Sequence, residues 1–341
     1  MKLAVDAMGS DCYPVPDVAG AVLAAREAGR GDSIMLVGDE GRIRAELEKH
    51  ETADLPLSIV HASEVIEMID RPAQAIKSRP DSSIVVGMNL VKSGAADAFV
   101  SAGNTGGVLA GALFRLGRVR GIKRPGLTTL FPLPTGPVVL LDVGANADCK
   151  AEYLHQFGLM GSAYAERVLG KTSPTVAILS NGEEPGKGNA LVKEAYGLLH
   201  ASPLNFIGNI EPKEFVTGVA DVVVTDGFTG NVAVKLAESI SKMLINMIGD
   251  QIRASPITML GGLLAKPAFR RVKEQLDPFK VGGVVLLGVR GVVIVAHGRS
   301  NDVAMKNAIR QARVAVEGEL LVTIEQGLAA YEPARGGNTQ E

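Results

Sequence analysis

The 341-residue sequence contains no tryptophan, two cysteines and only 4% aromatic residues. Cys12 and Cys149 are too few and too far apart for a disulfide framework or a cysteine-based zinc site, and the expected compartment is the reducing cytosol. No apolar run reaches the roughly 18 residues that a membrane-spanning helix needs. The longest candidate, Val281 to Ala296, is interrupted by glycines and by Arg290. A secretory signal is not expected either, because Asp6 follows Lys2 after three apolar residues. There is also no surplus of charge of one sign. With 35 Lys and Arg against 37 Asp and Glu the net charge is −2, which argues against a general nucleic-acid binder.

Glycine, by contrast, is abundant. The 40 glycines make up about 12% of the chain, against an ordinary share near 7%. They follow no collagen period, and a hydrophobic fraction of 46% is too high for disorder. The length allows one large or two ordinary domains with ample chain for a core. A Gly-rich, aromatic-poor globular chain implies many tight strand-to-helix turns, and so an α/β fold.

Short β-branched runs alternate with longer Ala/Leu-rich stretches. Strands are expected at Lys2–Asp6, Ser33–Val37, Leu57–His61, Ala98–Ser101, Val138–Asp142, Thr175–Leu179, Asn205–Ile207, Val222–Thr225 and Val292–Ala296. Helices are expected near Pro16–Glu27, Asp39–Lys49, Ser82–Lys92, Thr105–Leu116, Lys150–Leu169, Lys187–Leu199, Thr229–Asp250 and Asp302–Gly327. Such alternation implies right-handed crossovers and a largely parallel sheet with helices on both faces, a Rossmann-like three-layer α/β/α arrangement. Arg118–Pro137, rich in Gly, Pro and Arg, reads as an irregular crossing, and Leu244–Lys280 as a helical hairpin insertion. One α/β domain is expected over residues 1–332, with a frayed tail over 333–341.

In open α/β sheets ligands bind beyond the carboxyl ends of the strands. Here seven such ends are rich in Gly, Asn, Asp and Thr: those at Asp6–Asp11, Ser101–Gly107, Asp142–Asn146, Asn181–Asn189, Gly208–Glu211, Thr225–Asn231 and His297–Asn301. Glycines let backbone N–H groups approach a ligand, and a helix start presents unpaired donors and partial positive charge; together they suit phosphate or another oxyanion. Taken singly, each turn also reads as an ordinary N-cap or tight turn. Familiar nucleotide motifs are missing. No G-x-G-x-x-G follows the first strand, and Gly182–Gly188 is one residue short of a P-loop, with Gly188 where Ser or Thr should be. No Ser lies in a G-x-S-x-G elbow. The five histidines have no metal-ligand spacing, and no metal or cofactor is expected. His50, His61, His155 and His200 read as surface or packed residues, whereas His297 closes a buried strand and reads as a site residue.

At these residues the chain resembles the PlsX family, bacterial phosphate acyltransferases that use acyl carrier protein. The matching stretches are Asp6–Gly9, Ala96–Gly106, Leu140–Asn146, Gly182-Glu183-Glu184 with Lys187-Gly188-Asn189, Gly208–Glu211, Thr225–Asn231, and Gly282-Gly283 through His297 to Asn301. Ser10 stands where that family usually has glycine, and Gly107 where it usually has alanine. The resemblance implies a fold related to phosphotransacetylases and isocitrate dehydrogenase-like enzymes, and a homodimer. The implied reaction is acyl-ACP plus inorganic phosphate giving acyl phosphate, which feeds glycerol 3-phosphate acylation in phospholipid synthesis. Its partners would then be acyl carrier protein and a membrane glycerol 3-phosphate acyltransferase.

A thioester is already activated, so such an enzyme must chiefly hold phosphate in line and stabilise an oxyanion. The expected phosphate cradle is Gly103, Asn104, Thr105 and Gly106 with the Lys187 ammonium. Asn231, with Thr229, Gly230 and backbone N–H groups, is expected to supply oxyanion donors. Asp226 and His297 are expected to manage a proton or orient a neighbour, and Asp6, Asp142 and Asn146 to organise the cleft. In the hairpin, apolar residues from Met243 to Leu264 precede Lys266, Arg270, Arg271 and Lys273. That pattern suits dimer packing, an acidic carrier protein, or an anionic membrane surface on the inner face of the cell membrane. Rival readings are a phosphotransacetylase using acyl-CoA, a nicotinamide-dependent decarboxylating dehydrogenase, and a non-catalytic membrane-surface scaffold.

Overall fold

The structure is a computed structural model describing residues 1–29, 31–275 and 282–335. Eleven strands form one sheet: β1 Lys2–Asp6, β2 Ser33–Gly38, β3 Leu57–His61, β4 Ala98–Ser101, β5 Gly126–Leu133, β6 Gly136–Leu141, β7 Thr175–Leu179, β8 Asn205–Ile210, β9 Val222–Val224, β10 Val284–Leu287 and β11 Val292–Val295. Their spatial order is β3-β2-β1-β4-β11-β10-β5-β6-β9-β7-β8. The flanking pairs are parallel, while β11–β10, β10–β5 and β5–β6 are antiparallel. Three successive reversals turn the second parallel group, β6-β9-β7-β8, against the first, β3-β2-β1-β4-β11.

The helices are α1 Val15–Arg26, α2 Glu40–Leu47, α3 Pro72–Ser78, α4 Ser83–Lys92, α5 Thr105–Gly111, α6 Ala151–Leu169, α7 Ala190–His200, α8 Pro212–Phe215, α9 Gly227–Arg253, α10 Pro256–Gln275, α11 Asp302–Glu317 and α12 Leu320–Arg335. Strand residues alternate between the two faces. Leu3, Val5, Val139 and Leu141 join residues of α1, α6, α7, α11 and α12 in one large core. Ala4, Phe99, Leu127 and Val293 face the other way, onto α3, α4 and α5. Val138, Leu140 and Val223 also face that way, onto α8 and Val234 of α9. The second face thus carries two separate helical groups, with Val143 packed against both cores.

Two sequence expectations are corrected. Residues 118–137 are not an irregular crossing, because Gly126–Leu133 pairs with both β6 and β10. The expected helix over Asp302–Gly327 is two helices, broken at Gly318 and at Glu319, which has φ +51. The hairpin is present as α9 and α10, but α9 is continuous from Gly227 and runs from the strand end into the hairpin without interruption. α12 extends to Arg335 and takes in the first residues of the expected tail, while residues 336–341 lie outside the described residues. No helix among the described residues is long and apolar enough to cross a membrane.

Candidate active site

The reversal in the sheet sorts the predicted site residues into groups. The carboxyl ends of β1, β4 and β11 lie at one edge, and those of β6, β9, β7 and β8 at the other.

The first group is built on Asp6, which is 1% exposed. Its Oδ1 accepts from the Met8 N–H at 3.0 Å, and its Oδ2 from the Ser101 hydroxyl at 2.7 Å. The Gly103 N–H donates to Ser101 Oγ at 3.0 Å, which links the β1 loop to the β4 loop. A Cβ on Gly9 would lie 2.8 Å from the Gly103 nitrogen, so the two loops touch through backbone alone. Asn104 caps α5, accepting from the Gly107 N–H at 3.0 Å, and its amide donates to the carbonyls of Glu67, Met68 and Asp70. That clasp leaves the Thr105 and Gly106 N–H groups at the helix start without intrahelical partners. His297 follows β11 beside them: the Ala296 N–H donates to Ser101 O, and the Asp11 N–H to Gly298 O, each at 2.8 Å. Its Nδ1 accepts from the Arg299 N–H at 3.2 Å. Partial burial, then Lys235 and Arg299, hold the imidazole below its usual pKa, against the opposing pull of Glu238 and Asp11.

The second group is built on Asp142, which is fully buried. Its Oδ1 accepts from the N–H groups of Leu127, Gly144 and Ala145, each at 3.0 Å. Its Oδ2 accepts from the Asn146 N–H at 2.8 Å and from the Asn146 amide at 2.9 Å. Burial pushes this carboxyl up, while the donors favour its charged form. The α9 start packs directly onto this loop. A Cβ on Gly230 would lie 2.0 Å from Asp142 O, so only glycine fits there. Asp226 caps α9, accepting from the Thr229 N–H at 2.8 Å and from its hydroxyl at 2.7 Å. Asn231 lies over the same loop, with Nδ2 2.8 Å from where a Gly144 Cβ would stand. Cys149 donates to Asn146 O, and burial pushes its thiol up to about 11, which makes it a poor nucleophile.

Helix α9 connects the two groups. One and two turns beyond Asn231 stand Lys235 and Glu238, the residues whose charges act on His297.

Lys187 stands apart, in the loop after β7. Its N–H donates to Glu184 O at 2.9 Å and its stem lies against Gly182. Asn209 holds the same loop by donating to Glu184 O at 2.7 Å, and Lys213 bridges Glu183 at 2.9 Å and Glu211 at 3.0 Å. No described contact joins Lys187 to Gly103–Gly106, and the strand directions put the two at opposite sheet edges. The expected joint cradle is therefore not assembled by direct contact.

Sequence reading missed Asp17. Fully buried at the start of α1, it accepts from the Ser10 hydroxyl at 2.5 Å, and its Oδ1 has no partner. Burial, reinforced by the Asp6 charge, pushes its carboxyl up to about 8. The available signal was Ser10, a departure from the family pattern seven residues before an acid. Of the hairpin cations, Lys266, Arg270 and Arg271 are exposed, and the Lys273 side chain lies outside the described residues. Among the described residues no three His, Cys, Asp or Glu converge as a metal site.

The family model described as "Fatty acid synthesis protein" matches residues 1–322. The chain belongs to this family. It is 48% identical over 330 residues to the phosphate acyltransferase of Dictyoglomus turgidum, covering 96% of this chain and 98% of that protein. It is 46% identical to the phosphate acyltransferase of Elusimicrobium minutum, covering 97% of each. Among solved structures, a phosphotransacetylase from Streptococcus pyogenes superposes with a TM-score of 0.60 at 19% identity, over 92% of this chain and 94% of that one. A branched-chain phosphotransacylase from Enterococcus faecalis gives a TM-score of 0.57 at 16% identity, over 93% and 99%. These structures show that this member of the fatty acid synthesis family has the three-layer fold of phosphotransacylases.

Proposed function

We infer that the protein is a phosphate acyltransferase that moves a fatty acyl group from acyl carrier protein to inorganic phosphate. The observation that carries this reading is the near-complete match to phosphate acyltransferases at almost half identity. The strand ends support it through their chemistry: two loop clusters rich in backbone and amide donors and suited to an oxyanion, with α9 carrying from the second the charges that act on His297 in the first.

In this reading phosphate lies beside Gly103 and Asn104 against the free N–H groups of Thr105 and Gly106, and the thioester carbonyl faces the Asn231 amide, while both Thr229 donors stay with Asp226. A phosphate dianion attacks the thioester carbon through a charged oxygen. The C–S bond breaks as the C–O bond forms, and the P–O–H proton passes to the departing thiolate. Atoms and charge balance without a base from the protein, and no acyl-enzyme is required. Asp6, Asp142, Asn146, Gly230 and Asp226 hold the loops, and Lys187 adds positive potential at a distance, from the other sheet edge. The reactive domain is the eleven-stranded sheet with its helices, and the α9–α10 hairpin is an appendage. Its exposed apolar face and its cations Lys266, Arg270 and Arg271 serve a second copy of the chain or acidic carrier protein, on the cytoplasmic side of a membrane whose acyltransferase consumes the product.

The test incubates purified protein with acyl-ACP and phosphate and traps acyl phosphate as its hydroxamate. Phosphate-dependent hydroxamate is the expected result, and its absence overturns the reading. Equal rates with acyl-CoA would reassign the donor.

A further inference from the structure

His297 has two ring nitrogens and, in this structure, one task already given to it. A backbone N–H can only donate, so the Arg299 N–H at 3.2 Å requires a lone pair on Nδ1. An imidazolium has no lone pair to offer there. A neutral ring that accepts at Nδ1 carries its single proton on Nε2 and keeps no free lone pair.

The charges around the ring favour that neutral form. On α9 stand Lys235 and Glu238, on the ring's own loop Arg299, and on the β1 loop Asp11; the two cations outweigh the two carboxylates, and burial adds to them. The ring is exposed and follows the strand end that pairs with Ser101, beside the Gly103 loop.

We propose that His297 is a phosphate-binding residue that donates a hydrogen bond from Nε2 to a phosphate oxygen and takes no proton in the reaction. The inference rests on the proposed reaction, in which phosphate carries the proton that the thiolate receives. It replaces the expectation that this histidine manages a proton. The Arg299 contact sets the tautomer that leaves Nε2 as the donor, and a donor already in that form needs no proton shift when the ligand arrives.

The experiment has two arms on the full-length protein. The first records long-range proton–nitrogen NMR spectra of the histidine rings at pH 7.5, assigning His297 by its loss in H297Q. The expected pattern is an unprotonated Nδ1 with a protonated Nε2 whose resonance shifts on addition of inorganic phosphate. A proton on Nδ1, or no response to phosphate, overturns the proposal. The second arm compares H297Q and H297N, after thermal melting shows both folded. The Gln amide reaches the place of Nε2, and the Asn amide only that of Nδ1. H297Q is expected to keep its KM for phosphate within about threefold, while H297N raises it by about tenfold or more, the range for one lost charge-assisted hydrogen bond. Equal effects of the two changes would make His297 merely structural. If the wild type forms no acyl phosphate, the proposed function falls, while the tautomer and the phosphate response still decide this inference.

Discussion

Asp142 and Asp17 are both buried, and their partners separate them. Asp142 is surrounded by N–H donors, so its loop is built around a carboxylate. Asp17 has one hydroxyl partner and the Asp6 charge nearby, and at a pKa of about 8 it is mostly neutral at pH 7. That value lies above the ordinary carboxyl value near 4. Between about pH 4 and pH 8 the unfolded chain therefore ionises at this position while the folded protein does not. The stability of the neutral carboxyl is complete below pH 4 and lost as pH rises to about 8. Asp17→Asn removes this dependence, so its melting temperature should gain on the wild type between pH 5 and pH 8; a constant difference would contradict the assignment. In sequence, an acid in a first helical turn reads as a solvated N-terminal charge, which is why Asp17 was not legible. Lys187 and Asn231 were conspicuous, and the structure gives them different standings. Asn231 lies over the Asp142 loop at the centre of the second group, so Asn231→Ala should lower kcat about 100-fold with little change in KM, as for one lost oxyanion donor. Lys187→Ala should leave kcat near normal and raise the KM for phosphate no more than about threefold, because its loop touches neither group and its charge acts only at a screened distance. Steady-state kinetics with varied phosphate separates the two outcomes.

Among the elements, those with clear alternation were legible and those at the reversal were not. β5 lies within a stretch, residues 118–137, that is rich in Gly, Pro and Arg, yet Gly126 is the residue that lets Leu141 and Phe157 pack against its backbone. β11 matches the strand expected at Val292–Ala296, whereas β10 was not expected, because it lies in the same apolar run, Val281 to Ala296, only a short turn before β11. Continuous burial on both faces removes the period-two signal that would have separated them. α9 was expected over Thr229–Asp250, overlapping the hairpin from Leu244, and it runs slightly further at both ends, from Gly227 to Arg253. The helix that starts at the Asp142 loop and one arm of the hairpin are therefore a single rod. Apolar exposure along that rod is extensive, from Phe228, Val232 and Leu236 beside the site to Met247 and Ile248 near its end. The α10 cations lie beyond, at Lys266, Arg270 and Arg271. If they receive the acidic carrier protein, reversing Arg270 and Arg271 to Glu should raise the KM for acyl-ACP about tenfold and leave kcat near normal. If they instead meet lipid, the same variant should lose salt-sensitive flotation with anionic vesicles while its kinetics stay unchanged.

At the scale of the molecule, the expected three-layer fold and mixed but mostly parallel sheet are present. Its sense of direction was hidden. A sequence shows where strands end, but whether two ends share an edge depends on pairings between distant segments, here β11 with β4 and β10 with β5. The three antiparallel pairs β11–β10, β10–β5 and β5–β6 then move Asp142 and Asp226 to the edge opposite Asp6 and His297. In the proposed reaction the two loop groups serve one site, and α9 is the element that leads from Asn231 to the Lys235 and Glu238 that act on His297. This makes a prediction about pairs rather than single residues. Changes at sites without shared partners add within about 0.5 kcal/mol, whereas residues that act on one ligand are coupled by about 0.5–3 kcal/mol. His297 and Asn231 share no described contact, so coupling between them passes either through a ligand held by both or through α9, and melting of the free proteins separates the two. In a double-mutant cycle of His297→Ala and Asn231→Ala, kcat/KM for phosphate should show coupling above about 0.5 kcal/mol, and the melting temperatures of the free proteins should show none. Additive kinetics would mean that the two loop groups serve separate sites, and coupled melting would mean that they are joined by the protein itself.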